Sequence, residues 1–219
     1  MTEGNRLCDV GCDHAFLPIA LVQEGRIPAA LAMDVREGPL AIAAGNVAEA
    51  GLDDRIETRL SDGLEALRPG EADTIVLAGM GGRLVLDILA KGIDVAQTVR
   101  EWILQPQSDV AEVRRWLRLS GFAAADEEMV RERGKFYTIL QVKTDGAPLV
   151  LQEDAALADS FGAVLLEKRH PVLREFLEKE YGRIGHILDG LSDIDNSRKK
   201  ELLEEYHMVR SALERWKRI

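Results

Sequence analysis

Apolar residues fall along the first two thirds of the chain in short runs, separated by longer amphipathic stretches. Residues 7–10 read as a short buried strand that runs into a turn at Gly11. An apolar stretch at 15–22 has helical length and stops at Gly25, with Pro18 in its early turns, where a missing N–H is tolerated. The pattern repeats: a strand at 29–34 closing in Asp34, an alanine-rich helix at 39–50 stopped by Gly51, and a strand at 56–60 before Ser61-Asp62-Gly63. Residues 73–78 are a continuous apolar run, of the kind a parallel sheet covers on both faces. It leads into Gly79-Met80-Gly81-Gly82 and a helix at 84–90. A strand at 102–105, an amphipathic helix at 110–119, and two closing strands at 122–131 and 137–142 around Arg133-Gly134-Lys135 complete the series. Seven strands alternating with helices predict an α/β fold with a doubly wound, mostly parallel sheet and right-handed crossovers.

The period changes after Asp145-Gly146-Ala147-Pro148. Val172, Phe176, Leu177, Tyr181, Ile184, Ile187, Leu188 and Leu191 recur at three- and four-residue steps, as do Leu202, Leu203, Tyr206, Val209, Leu213 and Trp216. Asp195-Asn196-Ser197 supplies a turn and an N-cap between them. Both stripes are satisfied by an α-helical antiparallel coiled-coil hairpin. The expected organisation is therefore a sheet domain at 1–146 and a helical domain at 147–219.

Composition narrows the class. Two cysteines, Cys8 and Cys12, exclude a disulfide scaffold, and with His14 they fall short of a tetrahedral zinc set, so no metal is expected. Charges interrupt every apolar stretch before it reaches the ~18 residues of a membrane span. Met1 to Arg6 carries no apolar signal region, so a cytoplasmic protein away from membranes is expected, as a monomer or weak homo-oligomer. The formal net charge is −10, with 16 basic and 24 acidic residues up to Gly146. An acid excess argues against nucleic acid as a partner, because neutralising phosphates normally supplies that affinity. Local basic clusters remain: Arg114, Arg115 and Arg118; Arg131, Arg133 and Lys135; Arg198, Lys199 and Lys200.

The candidate chemistry lies in the turns. Asp9-Val10-Gly11-Cys12-Asp13-His14-Ala15 follows the first strand, where a small residue lets a ligand approach backbone N–H groups. It is not the G-x-G-x-x-G of a dinucleotide site. Asp34 ends the second strand, where a carboxylate can accept both ribose hydroxyls. Asp62 follows the third and can accept an exocyclic adenine amine, with Gly63 keeping the approach open. Three acidic turns at successive strand ends with no phosphate grip favour S-adenosyl-L-methionine over NAD or ATP.

These residues carry a resemblance. The stretches DVGCDHAFLPIAL, MDVREGPLAIAAGNV, RLSDGL, IVLAGMGGRLVLDIL and WILQPQSDVAEVRRWL resemble the bacterial tRNA (adenine-22) N1-methyltransferases, a family of class I S-adenosylmethionine-dependent enzymes. The resemblance spans the chain and implies a Rossmann-like methyltransferase sheet and a tRNA substrate. The family usually has a further helical segment before the first strand, whereas here Met1-Thr2-Glu3-Gly4 leads almost directly onto it. The resemblance implies that Asp9, Gly11, Asp13 and His14 form the cofactor loop, with Asp34 as the ribose acid and Asp62 and Gly63 as the adenine turn. Ala78, Gly79 and Met80, with Gly81 and Gly82, stand where many amino-group methyltransferases carry Asn/Asp-Pro-Pro-Tyr, consistent with methylation at a ring nitrogen. Asp13 is the candidate catalytic carboxylate, with helix N-cap as its rival role. His14 is expected to bind rather than to act as a base. Competing readings are an S-adenosylmethionine enzyme for a small molecule or protein, and a non-catalytic cofactor-binding module.

Overall fold

Four consecutive buried residues in Leu7–Val10 can be covered only if helices lie on both faces of the sheet they join. The computed structural model describes residues 1–145, 155–190 and 196–216. Its first elements are β1 (Leu7–Val10), α1 (Phe16–Gln23), β2 (Ala30–Asp34), α2 (Glu37–Glu49), β3 (Ile56–Leu60), β4 (Thr74–Met80), α3 (Gly82–Lys91), α4 (Ile93–Ala96), β5 (Glu101–Pro106), α5 (Val110–Leu119), β6 (Ala124–Glu132) and β7 (Lys135–Lys143). The seven strands form one Rossmann-like sheet in the order β3-β2-β1-β4-β5-β7-β6. β1 pairs in parallel with both β2 and β4, which makes the gap between them the point where the winding reverses.

The sheet is mixed, because β7 runs antiparallel to β5. The cause is local: Arg133 and Gly134 both take left-handed backbone (φ 48° and 80°), which suits a two-residue hairpin loop and turns β6 straight back into β7. Alternate residues of β4 feed the two faces. Ile75 and Leu77 pack with Trp102, Leu104, Val85 and Leu89, whereas Val76 packs with Leu7, Val22, Ile27 and Val47.

The chain groups into two compact units, one of Met1–Asp126 and Ile139–Leu149, the other of Glu127–Thr138 and Val150–Ile219. The second contains α6 (Ala155–Phe161), α7 (Ala163–Glu167), α8 (Pro171–Gly190) and α9 (Asn196–Glu214). α8 and α9 pack antiparallel: the Tyr181 and Tyr206 rings stack at 4.5 Å, and Arg183 pairs with Glu205 at 3.4 Å. Leu173, Leu177, Ile184, Val209 and Ala212 fill the seam, but Leu203, assigned to it by spacing, is exposed. The Glu127 carboxylate accepts the backbone N–H groups of Val164 and Leu165 and so caps α7. The linker and expected domain boundary at 146–148, Leu191, Asp195 and the Asn196 side chain lie outside the described residues. Among the described residues no helix is long and apolar enough to cross a membrane.

Candidate functional site

The turn between β1 and α1 is held by backbone. Gly11 and Cys12 both donate N–H to the Met33 carbonyl at 2.8 and 2.9 Å, and the Asn46 amide donates to the His14 carbonyl at 2.9 Å. Gly11 has φ 75°, and a Cβ there would meet Met80 Cε at 3.0 Å. Asp13 (φ 51°) and Ala15 (φ 57°) are also left-handed, each at a cost of order 1 kcal/mol for a residue with a side chain. Such cost, concentrated in one turn, marks a position selected for something other than stability.

Asp13 does not cap α1; Ala15 occupies that position and no side chain caps it. The Asp13 backbone N–H reaches Asp34 Oδ2 at 3.3 Å, while its exposed carboxylate lies 3.7 Å from His14 Nε2. Asp34 is buried, and its second oxygen accepts the Arg36 N–H at 2.9 Å. Two of the roughly four lone-pair positions of a carboxylate are thereby used. Its own carbonyl accepts the Ser61 N–H at 2.9 Å, tying the β3 end to the β2 end. The next residues, Asp62 and Gly63, line a hollow with Leu64, Leu84 and Ile88. Gly63 has φ 55°, and a Cβ there would press on Ile88 at 3.2 Å.

At the end of β4 the register with β5 slips between Ala78 and Met80, leaving Gly79 as an extra residue with φ 75°. The Gly79 N–H donates to Gln105 Oε1 at 3.0 Å, and the Met80 carbonyl accepts the Gln107 N–H at 2.8 Å. Gly82 has no room for a side chain: a Cβ would lie 2.4 Å from the Ser108 carbonyl oxygen. Every residue expected in the site therefore lies on or beside the carboxyl ends of β1 to β4. Gln105 was not among them, although a glutamine closing the apolar run WIL was a visible signal.

Burial sets the charge states. Asp9 is 6% exposed, and burial followed by the charge of Asp34 pushes its carboxyl up to about 7. Burial, then Asp9 and Asp34, push the Cys12 thiol up to about 12, and burial raises Cys8 as well, so neither thiol is a nucleophile near neutral pH. No cluster of three or more His, Cys, Asp or Glu side chains suited to a metal occurs among the described residues. Of the basic candidates, Arg114 is 8% exposed and lies on the inner side of α5, whereas Arg115, Arg131, Arg133, Lys135, Arg198 and Lys200 are exposed.

A seven-stranded sheet in this order, with acidic and glycine turns at the carboxyl ends of β1 to β4, is a Rossmann-like methyltransferase fold. A family model described as tRNA (adenine(22)-N(1))-methyltransferase matches residues 7–215. A protein of that name from Bacillus subtilis (strain 168) is 31% identical over 97% of this chain and 92% of its own. A candidate tRNA (m1A22) methyltransferase of Streptococcus pneumoniae, solved in complex with S-adenosyl-L-methionine, superposes with a TM-score of 0.85 at 34% identity, over 97% of this chain and 94% of that one. M. capricolum TrmK, solved with the cofactor product S-adenosyl-homocysteine, gives 0.84 at 25% identity, over 98% and 93%. The chain belongs to the tRNA (adenine(22)-N(1))-methyltransferase family.

Proposed function

We propose that this chain transfers the methyl group of S-adenosyl-L-methionine to N1 of an adenosine in tRNA, at the position 22 that the family name carries. The observation that supports it most is the row of acids at the ends of β1, β2 and β3, beside a glycine turn that lacks a phosphate-binding pattern. The donor set fits that cofactor. Asp34 keeps acceptor capacity for ribose hydroxyls, Asp62 and Gly63 offer the adenine turn, and Asp9, Gly11, the Asp13 backbone and His14 surround the remaining end. Ala78, Gly79 and Met80 would line the cofactor site and let the acceptor base come close to the methyl donor. The bound cofactor supplies an electrophilic methyl on a sulfonium.

The chain's own residues have a positioning task. Adenine N1 carries an in-plane lone pair and needs no prior deprotonation, so holding it in line with the methyl can supply roughly 7–11 kcal/mol. Methylation leaves the purine cationic, and the exposed Asp13 carboxylate would stabilise that charge through the N6 amine. His14 would bind rather than abstract a proton. Reaching N1 in structured RNA requires an exposed or flipped base, hence contacts outside the pocket. We assign these to exposed cations, Arg115, Arg131, Arg133, Lys135, Arg198 and Lys200, and to the helical domain at 147–219, whose expected coiled-coil hairpin would contribute to tRNA binding beside the cofactor domain at 1–146. A tRNA substrate is consistent with a cytoplasmic enzyme, and we propose a monomer or weak homo-oligomer.

Incubation with labelled methyl donor and total bacterial tRNA tests the reading. 1-Methyladenosine in the digest supports it, and transfer to an RNA-free extract in its place overturns it. Asp13→Ala should slow turnover about 100-fold, as loss of one charge-stabilising group does, with cofactor affinity intact by calorimetry. Lost cofactor binding in a folded variant would make Asp13 a cofactor ligand instead.

A further inference from the structure

Four of the nine exposed large apolar side chains among the described residues share one edge of the sheet. Phe16, Val35, Leu60 and Leu84 stand at or just beyond the carboxyl ends of β1, β2, β3 and β4, one at each crevice turn, with exposures of 67, 58, 48 and 51%. An apolar rim around a row of acids suits flat rings with polar edges. Three of the four sit by the residues assigned above to the cofactor nucleoside: Val35 directly follows Asp34, Leu60 precedes Ser61-Asp62, and Leu84 lines the hollow of Asp62 and Gly63. Phe16 belongs to the other side, with Asp13 and His14.

Phe16 contributes little to the fold. α1 is anchored by Pro18, Leu21 and Val22, and Phe16 is the first helical residue, turned outward. The left-handed residues Asp13 and Ala15 set where it emerges, and its ring meets that of His14 edge to face at 5.6 Å and 82°. Elimination strengthens the point. Besides Phe16, the aromatic rings of the unit Met1–Asp126 and Ile139–Leu149 are, histidine aside, Trp102 and Phe122, both buried, and Trp116, packed with Phe122 against the core; Phe136 and Tyr137 of β7 belong to the other unit. The sequence Ala78-Gly79-Met80-Gly81 puts no aromatic at the end of β4. A base drawn out of an RNA stack loses its neighbours, and an aromatic face restores that stacking.

We propose that Phe16 is the substrate-positioning residue on which the acceptor adenine stacks, with its N6 edge toward Asp13. This rests on the function proposed above. Stacking constrains the plane of the ring, which in-plane attack by N1 requires, while Asp13 sets its rotation.

The experiment compares wild type with Phe16→Ala, Phe16→Leu and Phe16→Trp, using methyl transfer to tRNA, calorimetry with S-adenosyl-L-methionine, and thermal unfolding. Phe16→Ala should lower kcat/KM for tRNA roughly 5- to 150-fold, the loss typical of removing one aromatic from a stacked base, with Tm and cofactor affinity unchanged. Phe16→Trp should restore most of the activity, and Phe16→Leu, apolar but without a π-face, should not. Activity of Phe16→Ala within twofold of wild type overturns the proposal, as does full rescue by Phe16→Leu. Lost cofactor affinity in Phe16→Ala overturns it too, by placing the ring in the cofactor site. Wild type that transfers no methyl to tRNA is a different failure, overturning the proposed function and this inference with it.

Discussion

A carboxyl group that titrates at about 7 in the middle of a sheet is a liability to the fold. Asp9 ordinarily titrates near 3.8; burial and the neighbouring Asp34 raise it in the folded chain. With the folded value above the unfolded one, the fold is favoured by the protonated form. Stability is full below about pH 3.8, declines as pH rises toward 7, and stays at its lower level above that. Asp9→Asn removes the penalty at nearly equal volume. We expect its Tm to exceed that of wild type at pH 8 by about 2–8 °C, and the gain to vanish by pH 4. Calorimetric scans at the two pH values decide it, and an equal gain at both would mean that packing, not charge, is responsible. The same variant should bind S-adenosyl-L-methionine more weakly, since a cationic ligand favours the ionised carboxylate, and this is the usual exchange of stability for function. Asp9 could be read in the sequence as part of a ligand turn. Its elevated titration could not, because that depends first on how deeply the sheet buries it and then on Asp34, twenty-five residues away, lying on the adjacent strand.

The strands were legible where both faces are buried: β1 falls where its apolar run puts it, β2 starts one residue inside its run, and β4 starts one residue late and runs on through Gly79 and Met80; β3, whose burial is only partial, also matches 56–60. α4, α6 and α7 were not, because four to seven residues do not complete two turns and leave no stripe to read. Arg114 belongs to a basic cluster in the sequence, yet α5 buries it together with Val113 and Leu117; spacing alone does not show how wide a buried face is. Nor does sequence show what holds the amino-terminal ends of the strands together. Glu101 of β5 is fully buried and accepts the Thr2 N–H at 2.6 Å, the Thr74 hydroxyl at 2.9 Å, the Gln141 amide at 2.6 Å and Lys143 Nζ at 2.7 Å. Burial would raise its carboxyl, but Lys143 and the other donors outweigh it and bring it down to about 2. Here the folded value lies below the unfolded one. The stability it contributes is complete above about pH 4.5 and is lost as pH falls toward 2. Glu101→Gln should cost about 1.5–3 kcal/mol at pH 7, the range for hydrogen bonds to a charged group. Urea unfolding should show the difference from wild type shrinking between pH 4.5 and pH 2, and a difference independent of pH would show that shape, not charge, is what Glu101 provides.

At the scale of the whole molecule, a chain of net charge −10 has to meet a polyanion. Screening makes this feasible: at physiological ionic strength charges beyond about 8 Å are largely hidden, so a phosphate responds to the cations beside it and not to the molecular total. The balance of acids and bases therefore misdirects as a guide to the partner, while the placement of cations informs. Arg133 lies in the β6–β7 turn and Lys135 directly follows it, both exposed, and the left-handed backbone at Arg133 and Gly134 holds the turn tight. If they contact tRNA phosphates, each contact releases counterions, and the logarithm of affinity falls with the logarithm of salt by roughly 0.7–0.9 per phosphate. The double variant Arg133→Ala, Lys135→Ala should thus bind tRNA more weakly at low salt, with a salt slope reduced by about 1.5. Its affinity for S-adenosyl-L-methionine should not change, because neither residue belongs to the β1–β4 crevice. Fluorescence titrations with tRNA between 50 and 300 mM salt measure both quantities. An unchanged slope would move the phosphate contacts to Arg115 or to Arg198 and Lys200, and the same substitution pair at each position would then find them.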